Sequence, residues 1–420
     1  MDVRKVMIDL TPLREHRDLR LLLGGELVSV VGTQLTIVAV MFQVYALTGS
    51  SLYVGLVSLA ELVPLLAGAL VGGAVVDAVD RRKLLLVVTA LMGLSSAALA
   101  LNADRGAVLW PLFVFPAVTA ALSGFDSPAR RATMTRMLPT EQLSTANAMF
   151  QVLAQLGLIV GPAIAGLLLG GVGIRFVYWI DVASFGACFV AIAAMAPQPA
   201  AAGAAKPGLR SIVDGFRFVR TRPALRGAFL IDINAMVFGL PRALFPALAL
   251  HRFGGGASTL GFLYAAPGAG ALVGAATTGW VADVRRQGQA VIVAVVAWGA
   301  AIAAFGLVAW LPVALLLLAV AGWADVISAV FRTTIIQVAT PDHLQGRLSS
   351  LQTAVVTGGP RLGDMEAGSV ASAFGNQFSV VSGGLACIVC AMAVAWLIPG
   401  FRRQGLDPES PSDPAAPALA

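Results

Sequence analysis

Charge is scarce in this chain. Asp, Glu, Lys and Arg make up 12% of its 420 residues and there are only three histidines, against about 25% charged residues in an ordinary soluble domain. So little polar material cannot cover a water-soluble core of this size. No metal-ligand cluster and no nucleophile–base pair stands out along the chain, which argues against an enzyme. Cysteine is equally sparse. Cys188, Cys387 and Cys390 fall in apolar runs, and Cys387-x-x-Cys390 lacks the second ligand pair of a zinc site, so all three read as small helix-packing residues. A Gly-x-x-x-x-Gly-Lys-Ser/Thr loop is missing too, which excludes a nucleotide-driven pump of that type, and no cofactor is implied.

What fills the sequence instead is apolar. Hydrophobic residues make up 58% and the mean hydropathy is +0.85, so the solvent of this chain is largely a lipid bilayer. At about 20 residues per crossing, twelve spans are expected. They lie near 19–46, 52–76, 84–103, 108–128, 144–169 and 176–197, then 225–250, 258–282, 289–309, 312–336, 347–372 and 379–399. The expected fold is an all-α integral membrane protein of two six-helix bundles, 19–197 and 225–401, flanked by an N-terminus at 1–18 and a tail at 402–420. A linker at 198–224 joins them; its Pro/Ala/Gly-rich start precedes an amphipathic stretch containing Ile212, Val213, Phe216 and Val219, which reads as a helix on the membrane surface. Pro408, Pro411, Pro414 and Pro417 mark the tail as disordered.

The net charge of +6 and pI near 9.7 do not imply nucleic acid, because the bases come in short clusters between apolar runs. The N-terminus, Arg81 to Lys83, Arg130, Arg131, Arg136, the linker, Arg285, Arg286, Arg347, Arg402 and Arg403 share one side if the spans alternate. By the positive-inside rule that side is the cytoplasm, and both termini belong there. The first span lacks a convincing cleavage site and reads as an uncleaved helix.

The two halves repeat one another. Glu26 recurs as Asp232, Gly55 as Gly261 and Asp77 as Asp283, each 206 positions on. Pro139 recurs as Pro341 with an offset of 202, and Gly161-Pro162 as Gly359-Pro360 with an offset of 198, so the connections shorten along the second half.

Between the second and third spans runs Gly72-Gly73-Ala-Val-Val-Asp77-Ala-Val-Asp80-Arg81-Arg82-Lys83, a tight charged turn approached by small residues. Gly73, Asp77, Asp80, Arg81 and Arg82 resemble the signature of major facilitator superfamily transporters at this place, although Ala78 stands where that family often has Arg and Asp80 where it often has Gly. The resemblance implies a conformational gate there, with Asp126 joining it from the fourth span and Asp283 as the worn second-half copy. Gly157, Gly161, Pro162 and Gly166 of the fifth span resemble the glycine-proline signature of the antiporter branches, where it goes with a kinked, leak-tight interface; generic helix packing is the plainer reading, and it extends to Gly359 and Pro360. Gly215 to Phe218, Phe245 to Ala249, Gly261 to Ala266 and Gly346-Arg347 are similar to the enterobactin exporter branch.

Charges inside spans cost roughly 2.5–3.5 kcal/mol each on insertion scales and are usually kept for pairing or function. Glu26 and Asp232 are the candidate proton carriers, with a structural pair to a neighbouring arginine as the alternative. Arg361 and Asp364 replace apolar residues of the duplicate fifth span; they are either substrate contacts or an ion pair with each other. Arg242, Gln34, Asn234 and Gln352 complete the candidate cavity, while Arg332 reads as snorkelling to the interface and Asp181 as structural near the outer surface. The fourth span lacks the arginine that many proton-coupled exporters of this superfamily carry.

The resemblance implies alternating access, with proton-driven export of a siderophore-like amphiphile from the cytoplasm across the cell's inner membrane. A broad multidrug antiporter is the alternative, and a non-transporting membrane sensor the reading from another class. A monomer is expected by fold analogy.

Overall fold

Every backbone polar group inside a bilayer must be satisfied within the chain, and an uninterrupted helix does this with local bonds alone. The computed structural model describes residues 11–198 and 216–404, except the side chains of Ala74, Asp77, Ala282, Asp283, Asp342 and His343. The first half holds α1 (Arg17–Thr48), α2 (Ser51–Ala78), α3 (Arg81–Asp104), α4 (Pro111–Met137), α5 (Thr140–Gly171) and α6 (Ile174–Ala193). The second holds α7 (Pro223–Phe238), α8 (Gly256–Ala276), α9 (Gln287–Leu307), α10 (Leu311–Ala339), α11 (Asp342–Phe374) and α12 (Asn376–Leu397). Among the described residues there is no strand. Most of the expected surface helix and the expected disordered tail lie outside the described residues; only 216–221 of the former is seen, as helix.

Local chemistry sets the turns. Asp80 accepts from the backbone N–H of Lys83 (3.1 Å) and so caps α3. Gly173 and Gly375, with φ of 88° and 90°, turn the chain from α5 to α6 and from α11 to α12 in a conformation that other residues avoid. The fifth helix of each half thus ends in the same kind of glycine turn.

Among the described residues eleven helical stretches are long and apolar enough to cross a bilayer by composition, the seventh running over Pro223–Arg252, and α11 is not one of them. Its 33 residues suffice in length. It carries Arg347, Arg361, Asp364 and Glu366 among many hydroxyls, and it avoids lipid by packing between α2, α7 and α12. The seventh span also departs from expectation. Instead of one helix over 225–250, α7 stops at Phe238, and Gly239 and Pro241 lead into a tight turn at Arg242–Leu244 and a wide helical turn at Leu248–Arg252. Proline removes a donor and glycine tolerates the bend. The freed backbone is satisfied by side chains: Trp298 donates to the carbonyl of Gly239 (2.7 Å), Tyr264 to that of Arg242 (3.0 Å), and the N–H of Ala243 donates to Asp364 (3.1 Å).

The bundles meet along two seams, α2 against α11 and α5 against α8. A Cβ on Gly166 would lie 2.6 Å from the Cα of Gly261, and one on Gly55 would overlap the carbonyl oxygen of Asp364. Gly261 and Asp364 are the repeat mates of Gly55 and Gly166, so the seams are equivalent in the duplication. All four residues lie toward the membrane face opposite the arginine-bearing loops. There one apolar cluster runs unbroken from Leu35, Val38 and Val44 of α1 to Leu260 and Leu263 of α8. At the basic face the first bundle keeps its own cluster, with Leu19, Leu23, Leu85, Met134 and Ile192. The apolar clusters of the two halves are thus merged at the opposite face, while at the basic face the first bundle has a cluster of its own. Around the outside, Val63, Leu94, Val190, Val293 and Trp396 are largely exposed, as a lipid-facing surface requires.

Candidate functional site

Two cavities of about 320 Å³ each meet at Gln34 and Ile37 of α1. One lies between the bundles, walled by α1, α5, α8 and α10 and by the broken stretch after α7, with Gln155, Arg242, Tyr264, Trp298 and Asp325 as its polar features. The other lies inside the first bundle between α1, α2, α3 and α4; Glu26, Glu61, Asp126 and Asp181 face it, with Arg361 reaching in from α11. A larger groove of about 430 Å³ between α1 and α6 is lined by Leu27, Val28, Val31 and Ile180. It is almost wholly apolar and belongs to the lipid-facing side.

Both candidate proton carriers are held by buried arginines. Glu26 lies 2.7 Å from Arg130 Nε, which also donates to Asp126 at 2.7 Å. In the second bundle Asp232 lies 3.0 Å from Arg332, which donates to Ser328 (2.7 Å) and has Asp325 at 3.8 Å. Arg130 and Arg332 are repeat mates, 202 positions apart, and by the same offset Ser328 stands where the first bundle has Asp126. Arg332 is 3% exposed, so it does not snorkel; its guanidinium is drawn inward by carboxylates on α7 and α10. Asp126 is held in the first of these clusters.

Arg361 and Asp364 do not pair with each other. Arg361 reaches across the seam to Glu61 of α2 (3.1 Å), while Asp364 accepts from Ser58 of α2 (2.9 Å), from Arg242 (3.3 Å) and from the Ala243 N–H. The expected self-contained pair is replaced because each side chain finds partners outside its own helix. Arg361 and Arg242 keep about a quarter and a third of their side-chain surface open to the cavities. Gln34 lines both cavities. Asn234 lines neither: its amide donates to the carbonyl of Cys387 (2.9 Å) and ties α7 to α12. Gln352 donates to Thr333 across 3.5 Å, also between helices.

At the basic face, Arg81 donates to the carbonyl of Ala132 near the end of α4 (3.4 Å), and Arg82 to those of Ile192 and Ala193 at the end of α6. The turn between α2 and α3 is therefore clamped to the last turns of two neighbouring helices, and at the end of α6 the terminal carbonyls accept from the cation. Gly73 lies within α2, one position after Gly72, whose Cα packs on Gly124 of α4. The side chains of Asp77 and Asp283 lie outside the described residues. In α5, Gly157 and Gly161 admit Val30 and Gln34 of α1, and in α11 Gly359 admits Met236 of α7. Both helices continue through Pro162 and Pro360 without a break.

The family model described as transmembrane secretion effector matches residues 8–415. The chain belongs to that family, within the major facilitator superfamily. It is 27% identical to the enterobactin exporter EntS of Escherichia coli and to that of Shigella boydii, over 96% of this chain and 97% of each relative. The superfamily fold also appears in the solved structures of the nucleoside transporter NupG (TM-score 0.76, 11% identity, 91% of this chain and 100% of that one) and of a bacterial homologue of the human lysosomal transporter Spinster. The latter, in an inward-facing, unoccupied conformation, has a TM-score of 0.73 and 14% identity, covering 93% of this chain and 98% of that one. The chain is thus a multi-pass membrane protein and a secondary transporter.

Sequence reading of this transporter missed two features. Arg130 passed for a marker of the basic face, although its spacing of four from Asp126 within one helix was a usable signal. The pairing of Glu61 with Arg361 spans 300 positions and left no local trace.

Proposed function

We propose that this transporter exports an anionic, siderophore-like amphiphile by alternating access, driven by proton entry. The observation that carries the substrate reading is the broken seventh span, which presents the Arg242 guanidinium to the cavity between the bundles. Discontinuous helices at mid-membrane are where transporters of this kind hold substrate, and a guanidinium suits a carboxylate or a catecholate oxygen. The named activity of the enterobactin exporters fits the same chemistry. In this reading the arginine-bearing face is cytoplasmic, both termini lie there, the membrane is the bacterial inner membrane, and the cavities open inward. The bundles at 19–197 and 225–401 are the rocking units, and the turn containing Asp77 to Arg82 is the gate on the cytoplasmic side. The transporter works as a monomer.

Proton coupling has a structural motive. Glu26, Asp126 and Arg130 leave one carboxylate beyond what the guanidinium neutralises, as do Asp232, Asp325 and Arg332. One proton per cluster would balance each at low dielectric.

A second reading has its own observation. The first-bundle cavity is faced by four carboxylates and one arginine, which suits lipophilic cations and a broad drug exporter. Efflux from sealed proteoliposomes, with and without an imposed proton gradient, separates the two. Gradient-driven movement of a metal-free catecholate siderophore, weakened by Arg242→Ala and abolished by Glu26→Gln, is the expected result. Movement of a lipophilic cation alone would favour the second reading, and movement of neither with a verified gradient would remove both.

A further inference from the structure

Among the described residues no cation answers the buried carboxylate of Asp181. It sits seven residues into α6 and is 1% exposed. Its Oδ2 accepts from Thr36 of α1 and Ser96 of α3, both at 2.6 Å, and the Ser184 hydroxyl is shared between its Oδ1 (3.1 Å) and its backbone carbonyl (2.8 Å). Gly32 of α1 makes the room: a Cβ there would overlap both Ser184 Oγ and Asp181 Oδ1. Three helices therefore build a pocket around one carboxylate. Elsewhere in the spans Glu26, Glu61, Asp126, Asp232, Asp325 and Asp364 each have a guanidinium within 4 Å, and Asp181 has only hydroxyls.

Burying an ionised carboxylate without a counter-charge is expensive, and hydroxyls compensate only in part. A hydroxyl is also reversible: it donates to a carboxylate and, rotated, accepts from a carboxylic acid. The cage consequently fits both protonation states without moving a helix. No titratable side chain faces Asp181 from α1, α3 or α6 within hydrogen-bond reach. The remaining charged groups on the same cavity wall are Glu26, Asp126, Glu61 and Arg361, all engaged in the pairs above. Asp181, Thr36 and Ser96 themselves line that cavity, which gives a proton a way in.

We propose that Asp181, caged by Thr36, Ser96 and Ser184, is a proton-binding site loaded and emptied through the first-bundle cavity, and a carrier in the proton coupling proposed above. As a carrier it rests on that reading; as a proton site it stands alone. The step is a simple transfer, a proton from cavity water to a carboxylate oxygen and back, with no bond otherwise changed.

Infrared difference spectroscopy of the purified protein between mildly alkaline and mildly acidic pH tests the site directly. The carbonyl stretch of a protonated carboxyl group should grow on acidification, survive in Glu26→Gln and be lost in Asp181→Asn. In Thr36→Val with Ser96→Ala the band should remain but change frequency, because its donors are gone; this variant also serves if Asp181→Asn does not fold. An unchanged difference spectrum in Asp181→Asn, or no frequency change on removing the hydroxyls, would overturn the site. In proteoliposomes, Asp181→Asn should lose gradient-driven siderophore efflux yet keep exchange in the absence of a gradient; full gradient response in that variant overturns the carrier role. Should the wild type ignore the gradient, the coupling reading fails by itself, and the infrared band still decides the site.

Discussion

The two seams that join the bundles descend from one duplicated design and are built from opposite materials. Where α5 meets α8, Gly166 rests on Gly261 with nothing between the backbones. Where α2 meets α11, the repeat mate of Gly166 is Asp364, which binds Ser58, Arg242 and Ala243, and next to it Arg361 reaches Glu61. The bare seam gains its affinity from close approach, which is what drives helix association in lipid. Its charged counterpart gains specificity from groups that are costly to separate unless another partner, a proton or a substrate anion, takes over. The contrast implies a division of labour: one seam is a passive pivot and the other answers to charge.

The largest effect should come from wedging the bare seam. Gly166→Leu places a side chain where not even a Cβ fits, at least about 1–3 kcal/mol against the joined state, and should abolish efflux while leaving the protein open at the opposite face. Accessibility of cysteines placed along α5 and α8 reports that shift; wild-type efflux would mean that this seam does not close during transport.

On the charged seam, Asp364→Ala strips Arg242, Ser58 and a backbone N–H of their common acceptor. Thermal unfolding in detergent should show a loss of about 3 kcal/mol, and the turn after Phe238 should become more open to proteolysis. Glu61→Gln comes next. Both partners keep some cavity exposure, so the cost should be about 2 kcal/mol, below that of a fully buried pair, and Glu61→Arg combined with Arg361→Glu should recover most of it. Failure of that exchange to recover stability would show that Arg361 is retained for something other than Glu61. The smallest effect is expected for Ser58→Ala, about 1 kcal/mol, since two other donors to Asp364 remain; a much larger loss would make Ser58 the hinge of the seam.

How much of this was legible in advance depends on the range of each interaction. The glycine-proline stretch of α5 was readable as a packing surface, because small residues at helical spacing have few other uses in a membrane. Glu26 and Asp232 stood out through their repeat relation, and an arginine partner was among the alternatives. Asn234 was misplaced because periodicity does not tell an inward face from one turned to a neighbouring helix. Asp181 was passed over because its donors come from residues 36, 96 and 184, and hydroxyls that far apart carry no pattern.

By itself the sequence determined the solvent, the approximate number of crossings and the duplication, which follow from composition and periodicity over stretches longer than a helix, while the resemblance to the superfamily was carried by the motif residues from Gly73 to Arg82. Only the tertiary structure decided where α7 breaks, which buried carboxylates meet a guanidinium, and that Asp181 meets hydroxyls instead. Those outcomes turn on contacts of about 3 Å between helices far apart in the chain, and at low dielectric the presence or absence of a single guanidinium sets what a buried carboxylate can do.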